Sequence, residues 1–448
     1  MDPVVTAAGI RGLHARLASG GLPTGSAGLV DLLGALEELK SGIAGVQVET
    51  TVRFDAARRA EQAAAGVPAR RQGQGIAAEV ALARKDSPHQ GQVQLGLAKV
   101  LKAEMPHALA RLKDGTLSEL RALLAVRETG CLSLEQRALV DEELFADPAA
   151  LHGLGTRSLI ARVKQLAAEL DPAAVARRAR QAEADRHVTI RPAPDTMTYL
   201  TALLPVGQGV AIYAALKRDT DTLYAAGDPR SRGQLMADLM TTRITGTPIT
   251  GTGTETQAPP PVPVCVNITI SDQTLAGGHA PAEVSAAGVT PEIIPAEVAR
   301  LLIGQSLASG VGAWFRQLYL NPLGRLVAMS SRQRCFPDGL AELLALRGRG
   351  TCATPWCDAP IRHNDHITPV EQGGPTTAAN GQGLCEACNH AKQATGWSQH
   401  TTNHPRERHQ VETITPTGHR YHATAPPPIG WREPRYVRTA PGVYTLIA

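Results

Sequence analysis

The chain has 448 residues, more than one ordinary domain holds, and hydrophobic residues make up 43% of it while aromatic residues make up only 3%. This composition predicts two or three domains with cores of Ala, Leu, Val and Ile, which favours helices over a β-sandwich. The net charge is +4. No apolar run reaches the roughly 18 residues of a membrane span, which excludes a membrane partner. The N-terminus lacks the pattern of a signal peptide, which predicts a cytoplasmic protein.

The first half of the chain is predicted to be mainly helical. Apolar residues recur at helical spacing from Leu29 to Val46, and helix-favouring residues continue to Glu61, which predicts one long amphipathic helix. Two later helix starts carry capping signals, because Ser133 with Gln136 fits a capping box and Asp171 precedes a proline. The further helices are predicted at Ile76–Arg84, Gly91–Ala103, Ser118–Ala125, Ser133–Leu144 and Asp171–Ala184.

After these helices, the spacing of apolar residues changes from that of a helix to the two-residue alternation of a strand. His187–Pro192 and Met197–Thr201 alternate as paired strands do, which predicts a small sheet within the helical region. Helical patterns return at Val206–Leu223 and Gly233–Arg243. Residues 251–263 are rich in Gly, Thr and Pro and predict a linker.

After this linker the sequence predicts a mixed segment. Val264–Ile270 is predicted to form a strand, and Pro337–Arg347 a short helix. Trp314–Tyr319 and Arg325–Met329 flank the turn sequence at 321–324, which predicts a hairpin.

The excess of positive charge lies entirely at the C-terminal end. From Arg325 onward there are 13 lysine and arginine residues against nine aspartate and glutamate residues, and eight of the 14 histidines fall between His363 and His422. A basic and histidine-rich segment suits a polyanion such as nucleic acid, although charge alone favours a solvated surface.

Four cysteines form the most specific motif in the chain. They are arranged as a C-x4-C pair and a C-x2-C pair, at Cys352, Cys357, Cys385 and Cys388. Two such pairs can supply the four thiolates of a tetrahedral Zn²⁺ site, and in a cytoplasmic protein metal ligation is favoured over disulfides. The cysteines alone are also compatible with a purely structural zinc ribbon.

The segment between the two pairs predicts a ββα unit. A strand is predicted at Asp365–Ile367, a turn at the glycine pair 373–374, a second strand at Gly381–Leu384 and a helix at Cys385–Thr395. A unit this small has little core of its own, so we expect its folding to depend on the metal.

The string from Cys352 to Lys392, with its Asp365-His366 pair, Asn380 and the cysteines, resembles the zinc-stapled branch of the HNH endonucleases. The preceding chain resembles a helical domain of unknown function that precedes such modules in bacterial proteins. The residues that carry this second resemblance are the strand pair around 186–204 and the set Asp228, Arg230, Gln234 and Asp238.

The HNH resemblance implies a role for each matching residue. His366 would be the general base, Asp365 a ligand of a catalytic Mg²⁺ or Mn²⁺, and Asn380 a brace for the loop that carries His366. The second ligand is Asn389 where the family commonly has histidine, and His390 is the alternative. Nucleic-acid contacts are predicted for four basic residues, Arg347, Arg349, Arg362 and Lys392.

The predicted function is therefore metal-dependent hydrolysis of phosphodiester bonds in DNA, with duplex DNA as the expected partner and a homodimer left open. A zinc-stabilised binding module without cleavage and an RNA-directed nuclease are the alternatives. The predicted fold is a mainly α N-terminal domain with a small sheet, followed by a C-terminal α+β module of the ββα-metal type. The predicted boundaries are a tail at 1–26, the helical domain at 27–250, the linker at 251–263, a connecting α+β segment at 264–347, the HNH module at 348–400 and an extension at 401–448.

Overall fold

The computed structural model describes residues 5–195, 197–246, 266–286, 291–308, 330–331, 335–401, 408–427, 429, 435–440 and 443–447. The predicted linker at 251–263 and the predicted hairpin formed by Trp314–Tyr319 and Arg325–Met329 lie outside these residues.

Fifteen α-helices are found in the described residues, and they dominate the N-terminal half. Their bounds are α1 Ala7–Ser19, α2 Ser26–Ala64, α3 Ile76–Arg84, α4 Pro88–Ala103, α5 Pro106–Lys113, α6 Glu119–Glu128, α7 Leu134–Phe145, α8 Thr156–Leu170, α9 Pro172–Ala184, α10 Val206–Ala225, α11 Arg232–Thr245, α12 Asp272–Leu275, α13 Ala296–Ala308, α14 Asp338–Arg347 and α15 Glu386–Lys392. The long helix predicted from Leu29 to Glu61 is confirmed as α2, and the first 26 residues, predicted as a tail, contain α1.

The capping signals act as predicted. Ser133 and Gln136 form a capping box at the start of α7, in which each side chain bonds the backbone N–H of the other residue. At α9 the carboxylate of Asp171 accepts a hydrogen bond from the backbone N–H of Ala174 at 2.7 Å, and Pro172 occupies the first helical position.

The strands are short and form six small antiparallel sheets in the described residues. Their bounds are β1 His187–Ala193, β2 Met197–Leu203, β3 Val266–Thr269, β4 Ala282–Ala286, β5 Glu292–Ile294, β6 Ser330–Ser331, β7 His363–His366, β8 Thr376–Thr377, β9 Gly381–Leu384, β10 Ser398–Thr401, β11 Gln410–Ile414, β12 Arg420–Thr424, β13 Arg435–Ala440 and β14 Val443–Ile447. The sheets are β1-β2, β3-β4-β5, β6-β8, β7-β9, β10-β11-β12 and β13-β14. The predicted class, a mainly helical N-terminal region with small sheets and a C-terminal α+β module, is confirmed.

The chain forms two compact units. The first comprises residues 1–61 and 93–178, and its core is aliphatic apart from Met105 and Phe145, which are both fully buried. Within this unit the buried carboxylate of Asp141 caps α5 by accepting the backbone N–H groups of His107 and Ala108, both at 2.8 Å.

The second unit comprises residues 62–92 and 179–448. The helical region predicted at 27–250 is thus divided between the two units. Within the second unit, α3 and the residue before it pack against the segment that contains Trp397 and Thr417. The hydroxyl of Thr417 donates to the carboxylate of Glu79 at 3.1 Å, and a Cβ added at Gly75 would lie 2.7 Å from Nε1 of Trp397. Among the helices of the described residues, none is long and apolar enough to cross a membrane.

Candidate functional site

The two strands β7 and β9 hold the residues of the predicted nuclease motif. They pair antiparallel, so that Asp365 lies opposite Gln382 and His366 lies opposite Gly381. A side chain at position 381 would collide with Phe336 and Leu344, since an added Cβ would lie within 2.9 Å of both. Glycine at this position therefore lets α14 lie against the hairpin at the level of His366.

The four predicted cysteines come together beside this hairpin. All four are buried, and their sulfur atoms lie within 4.8 Å of one another. Cys357 and Cys385 are 3.7 Å apart, which matches the roughly 3.8 Å edge of a tetrahedral thiolate site with Zn–S bonds of about 2.3 Å. The cluster therefore indicates a structural zinc site.

Hydrogen bonds link the cysteines to one another and to the backbone of α15. The backbone N–H of Cys388 donates to the sulfur of Cys385 at 3.4 Å, which places the second pair on the first turn of α15. Hydrogen bonding to Cys357 lowers the pKa of Cys352 to about 7, and hydrogen bonding to Cys352 lowers the pKa of Cys385. Hydrogen bonding to Cys352 raises the pKa of both Cys357 and Cys388, so the four thiols share their protons unequally, and binding of zinc, which ligates the thiolate, would release the remaining protons.

Asn380 ties the two ends of the loop between β7 and β9 together. Its side-chain oxygen accepts the backbone N–H of Thr368 at 2.9 Å, and its amide donates to the carbonyl oxygens of Thr368 and Pro375, both at 3.0 Å. The residue is buried, so these bonds are shielded from water. At Gly374 an added Cβ would overlap the carbonyl oxygen of Thr368, and the loop therefore closes only around glycine.

His366 is the last residue of β7 and is half-buried. Its Nε2 lies 2.9 Å from the hydroxyl of Thr376, which stands on β8. The ring of Phe336 packs on the imidazole with the ring centroids 4.4 Å apart. These two contacts fix the orientation of the imidazole while leaving part of it accessible.

Asp365 shares one carboxylate oxygen between two donors. Its Oδ2 accepts the amide of Gln382 at 2.8 Å and the ammonium of Lys392 at 2.5 Å. Lys392 also donates to the carbonyl oxygen of His366. Among the described residues no hydrogen bond reaches the other oxygen, Oδ1, of Asp365.

The two candidates for the second cation ligand differ in their surroundings. The side-chain oxygen of Asn389 is buried and has no hydrogen-bond partner among the described residues. His390 is exposed, and its carbonyl oxygen accepts the amide of Gln74 at 3.5 Å. Asn389 and Lys392 are three residues apart and share one face of α15, and Lys392 reaches Asp365 from that face.

The four basic residues assigned to nucleic acid have different positions. Lys392 pairs with Asp365, and Arg347 donates to the carbonyl oxygens of Ala378 and Gly381, so both side chains hold parts of the site together. Arg349 donates to the carbonyl oxygen of Pro427 at 2.7 Å. Arg362 is exposed. Contact with nucleic acid stays a prediction for all four, and the exposed side chain of Arg362 suits it best.

Three further residues contact the site or support it and were not predicted from the sequence: Gln382, Gln399 and Thr376. A strand register could have revealed Gln382, because pairing His366 with Gly381 places residue 382 directly opposite Asp365. No local signal marks the other two, which reach the site through tertiary packing.

Comparison with known proteins gives two matches along the chain. Residues 32–347 match the family described as a domain of unknown function (DUF222), and residues 352–395 match the HNH endonuclease family. No curated protein and no solved structure matches the chain. Both resemblances are thereby confirmed, and the HNH domain indicates nuclease activity on nucleic acid.

Proposed function

We propose that this chain, which belongs to the DUF222 family and carries an HNH endonuclease domain, hydrolyses phosphodiester bonds in DNA with the help of a divalent cation. One observation carries the proposal: successive residues at the end of β7 present a carboxylate and an imidazole, beside a helix face that holds a buried oxygen with no hydrogen-bond partner among the described residues. These are the groups that metal-assisted hydrolysis requires.

The donor set fits a hard cation such as Mg²⁺ or Mn²⁺. Oδ1 of Asp365 and the side-chain oxygen of Asn389 are both oxygen ligands, which these ions prefer to nitrogen or sulfur. An unpaired buried acceptor costs about 1–3 kcal/mol, and a cation at Asn389 would remove that cost. When bound, the cation supplies charge stabilisation at the phosphate and at the leaving oxygen.

His366 acts as the general base in this proposal. The imidazole takes a proton from the water molecule that attacks the phosphorus, and the bond from phosphorus to the 3′ oxygen breaks, leaving a 3′-hydroxyl after protonation and a 5′-phosphate. Thr376 and Phe336 hold the ring in place, so little conformational entropy is lost in reaching the reactive geometry.

Asn380 supports the base indirectly. Its three hydrogen bonds close the loop that begins directly after His366, and its backbone carbonyl oxygen accepts the N–H of Ile367 at 2.8 Å. The residue touches neither the phosphate nor the cation in this scheme, and it acts by fixing the backbone on which the imidazole stands.

The experiment is cleavage of supercoiled plasmid DNA by the purified, zinc-loaded full chain, with Mg²⁺ or Mn²⁺ added. We expect nicked or linear DNA that depends on the cation, and a loss of about 100-fold or more in rate for His366→Ala, because a general base contributes roughly that much. His363→Ala is the matched control, since His363 stands on the same strand and is exposed.

Undiminished cleavage by His366→Ala would overturn the assignment of the base. Binding of DNA without cleavage by the wild-type protein under any added cation would instead favour a zinc-stabilised binding module. Faster cleavage of RNA than of DNA of the same sequence would favour an RNA-directed nuclease.

A further inference from the structure

A chain of buried side-chain hydrogen bonds leads from the β10-β11-β12 sheet to Asp365. The amide of Gln382 donates to Oδ2 of Asp365 at 2.8 Å and to the side-chain oxygen of Gln399 at 2.5 Å, and the amide of Gln399 donates to the hydroxyl of Thr413 at 3.0 Å. Gln382, Gln399 and Thr413 are 1%, 8% and 3% exposed. The three residues stand on β9, β10 and β11, so the bonds cross from one sheet to another.

The direction of these bonds determines which carboxylate oxygen is available. The amide of Gln382 has two N–H groups, and both are used, one toward Asp365 and one toward Gln399. Gln382 and Lys392 both bind Oδ2. The carboxylate is therefore held by one oxygen, and Oδ1 is the oxygen left for a cation.

Within the described part of the chain, the network leaves one buried polar atom of Gln382 unpaired, which costs free energy of folding. This atom is the side-chain oxygen, which is buried without a hydrogen-bond partner among the described residues. A methionine of similar size would avoid that cost, but Oδ2 of Asp365 would then be held by Lys392 alone. A single flexible ammonium group fixes the orientation of a carboxylate less well than an amide that is itself fixed by a second hydrogen bond.

We propose that Gln382, held in place by Gln399 and Thr413, is a positioning residue that orients the Asp365 carboxylate for the divalent cation. The inference rests on the proposed function, in which Asp365 is a cation ligand. Gln399 and Thr413 lie beyond residues 352–395, which match the HNH family. The proposal thus assigns part of the cation site to β10 and β11, outside the matched segment.

The effect of removing the network is expected in cation affinity. Substitution of residues that orient a metal ligand typically weakens metal binding by about 10–100-fold. We expect Gln382→Met to weaken Mn²⁺ binding by at least about 10-fold, and Gln399→Met to weaken it by a smaller factor, because Gln399 acts through Gln382. The rate at saturating Mn²⁺ should recover in both variants, since a higher concentration compensates for lost affinity but not for a damaged fold.

The experiment measures Mn²⁺ binding to the zinc-loaded full chain by electron paramagnetic resonance of the free ion, without DNA, and then the Mn²⁺ dependence of plasmid cleavage. Gln372→Met is the matched control, because Gln372 is an exposed glutamine in the same module. Zinc content and the melting temperature are measured for every variant, so that loss of the fold is recognised.

Each outcome decides the proposal. Weaker Mn²⁺ binding in Gln382→Met with zinc retained, together with recovery at high Mn²⁺, supports it. Wild-type affinity in Gln382→Met, while Asp365→Ala abolishes binding, overturns the positioning role and leaves the proposed function standing. Mn²⁺ binding that survives Asp365→Ala overturns both, because Asp365 is then not the ligand.

Discussion

The ammonium group of Lys392 lies 2.5 Å from Oδ2 of Asp365 and also donates to the carbonyl oxygen of His366. The ammonium group of Lys392 thereby joins the last turn of α15 to two consecutive residues of β7. Burial lowers the pKa of Lys392, and the charge of Asp365 opposes this shift. The ion pair with Asp365 thus offsets part of the cost of burying the ammonium group of Lys392.

Lys392→Met is expected to destabilise the second unit. The side chains of Lys392 and Asp365 are only 10% and 17% exposed, and removing one partner of a buried ion pair costs about 3–5 kcal/mol because the other charge is left unpaired. Urea unfolding of the zinc-loaded protein measures the change. Lys217→Met is the control, since Lys217 pairs with Asp221 on an exposed helix surface and should change stability little. Equal effects of the two substitutions would contradict this account.

Local patterns in the sequence identified many elements but not how they assemble. The bounds predicted for α3 and β9 are those observed, because both depend on short-range periodicity and on glycine or charged residues at their ends. The helix α8 was not among the predicted elements, and the helix at 385–395 is shorter in the structure, where it is Glu386–Lys392. Helix ends depend on capping and packing, which periodicity describes poorly.

The residues of the site likewise divide into those that local spacing predicted and those whose contacts depend on the assembled fold. The spacing of Cys352, Cys357, Cys385 and Cys388 predicted a zinc cluster, and the structure brings the four sulfur atoms together. The contact between Gln382 and Asp365 depends on strand register, and the contact between Gly75 and Trp397 joins residues more than 300 positions apart in the chain. The first contact follows once the two strands are paired in register, whereas the second is fixed by tertiary packing and leaves no local signature.

The identity of the second cation ligand can be tested by substitution. The side-chain oxygen of Asn389 is buried and unpaired within the part of the chain that the structure describes, whereas His390 is exposed. We therefore expect Asn389→Ala to lose most cleavage activity and His390→Ala to remain largely active. Asn389→His should retain some activity with an altered preference among Mg²⁺, Mn²⁺ and Zn²⁺, since imidazole is a softer ligand. An inactive His390→Ala protein beside an active Asn389→Ala protein would assign the cation to His390.

The cysteine cluster predicts one tightly bound zinc ion per chain. Cys385→Ser should release the ion and unfold the module around β7, β9 and α15, because that module has few buried apolar side chains besides the cysteines and Leu384. Zinc content by metal analysis and the melting temperature check both effects. Cys335→Ser is the control, since Cys335 is exposed and lies outside the cluster. A folded, reduced wild-type protein without zinc would refute the assignment.

The packing of α3 against the nuclease module predicts different effects for two glycines. Gly75 and Gly66 both have positive φ values, +85° and +76°, so alanine at either position carries a similar backbone strain of about 1 kcal/mol. At Gly66 an added Cβ meets nothing within 4 Å, whereas at Gly75 it would lie 2.7 Å from Nε1 of Trp397 and 3.0 Å from Cβ of Ala394.

Gly75→Ala should therefore destabilise the second unit by about 1–3 kcal/mol more than Gly66→Ala, which is the usual cost of overpacking a close contact. It should also speed the release of zinc to a chelator, because Trp397 and Ala394 follow α15 and the steric displacement would be passed to the helix that carries Cys388. Thermal unfolding and the rate of zinc transfer to a chromogenic chelator measure the two effects. If both substitutions behave alike in the full chain, α3 does not support the zinc module, and residues 62–92 are only packed beside it.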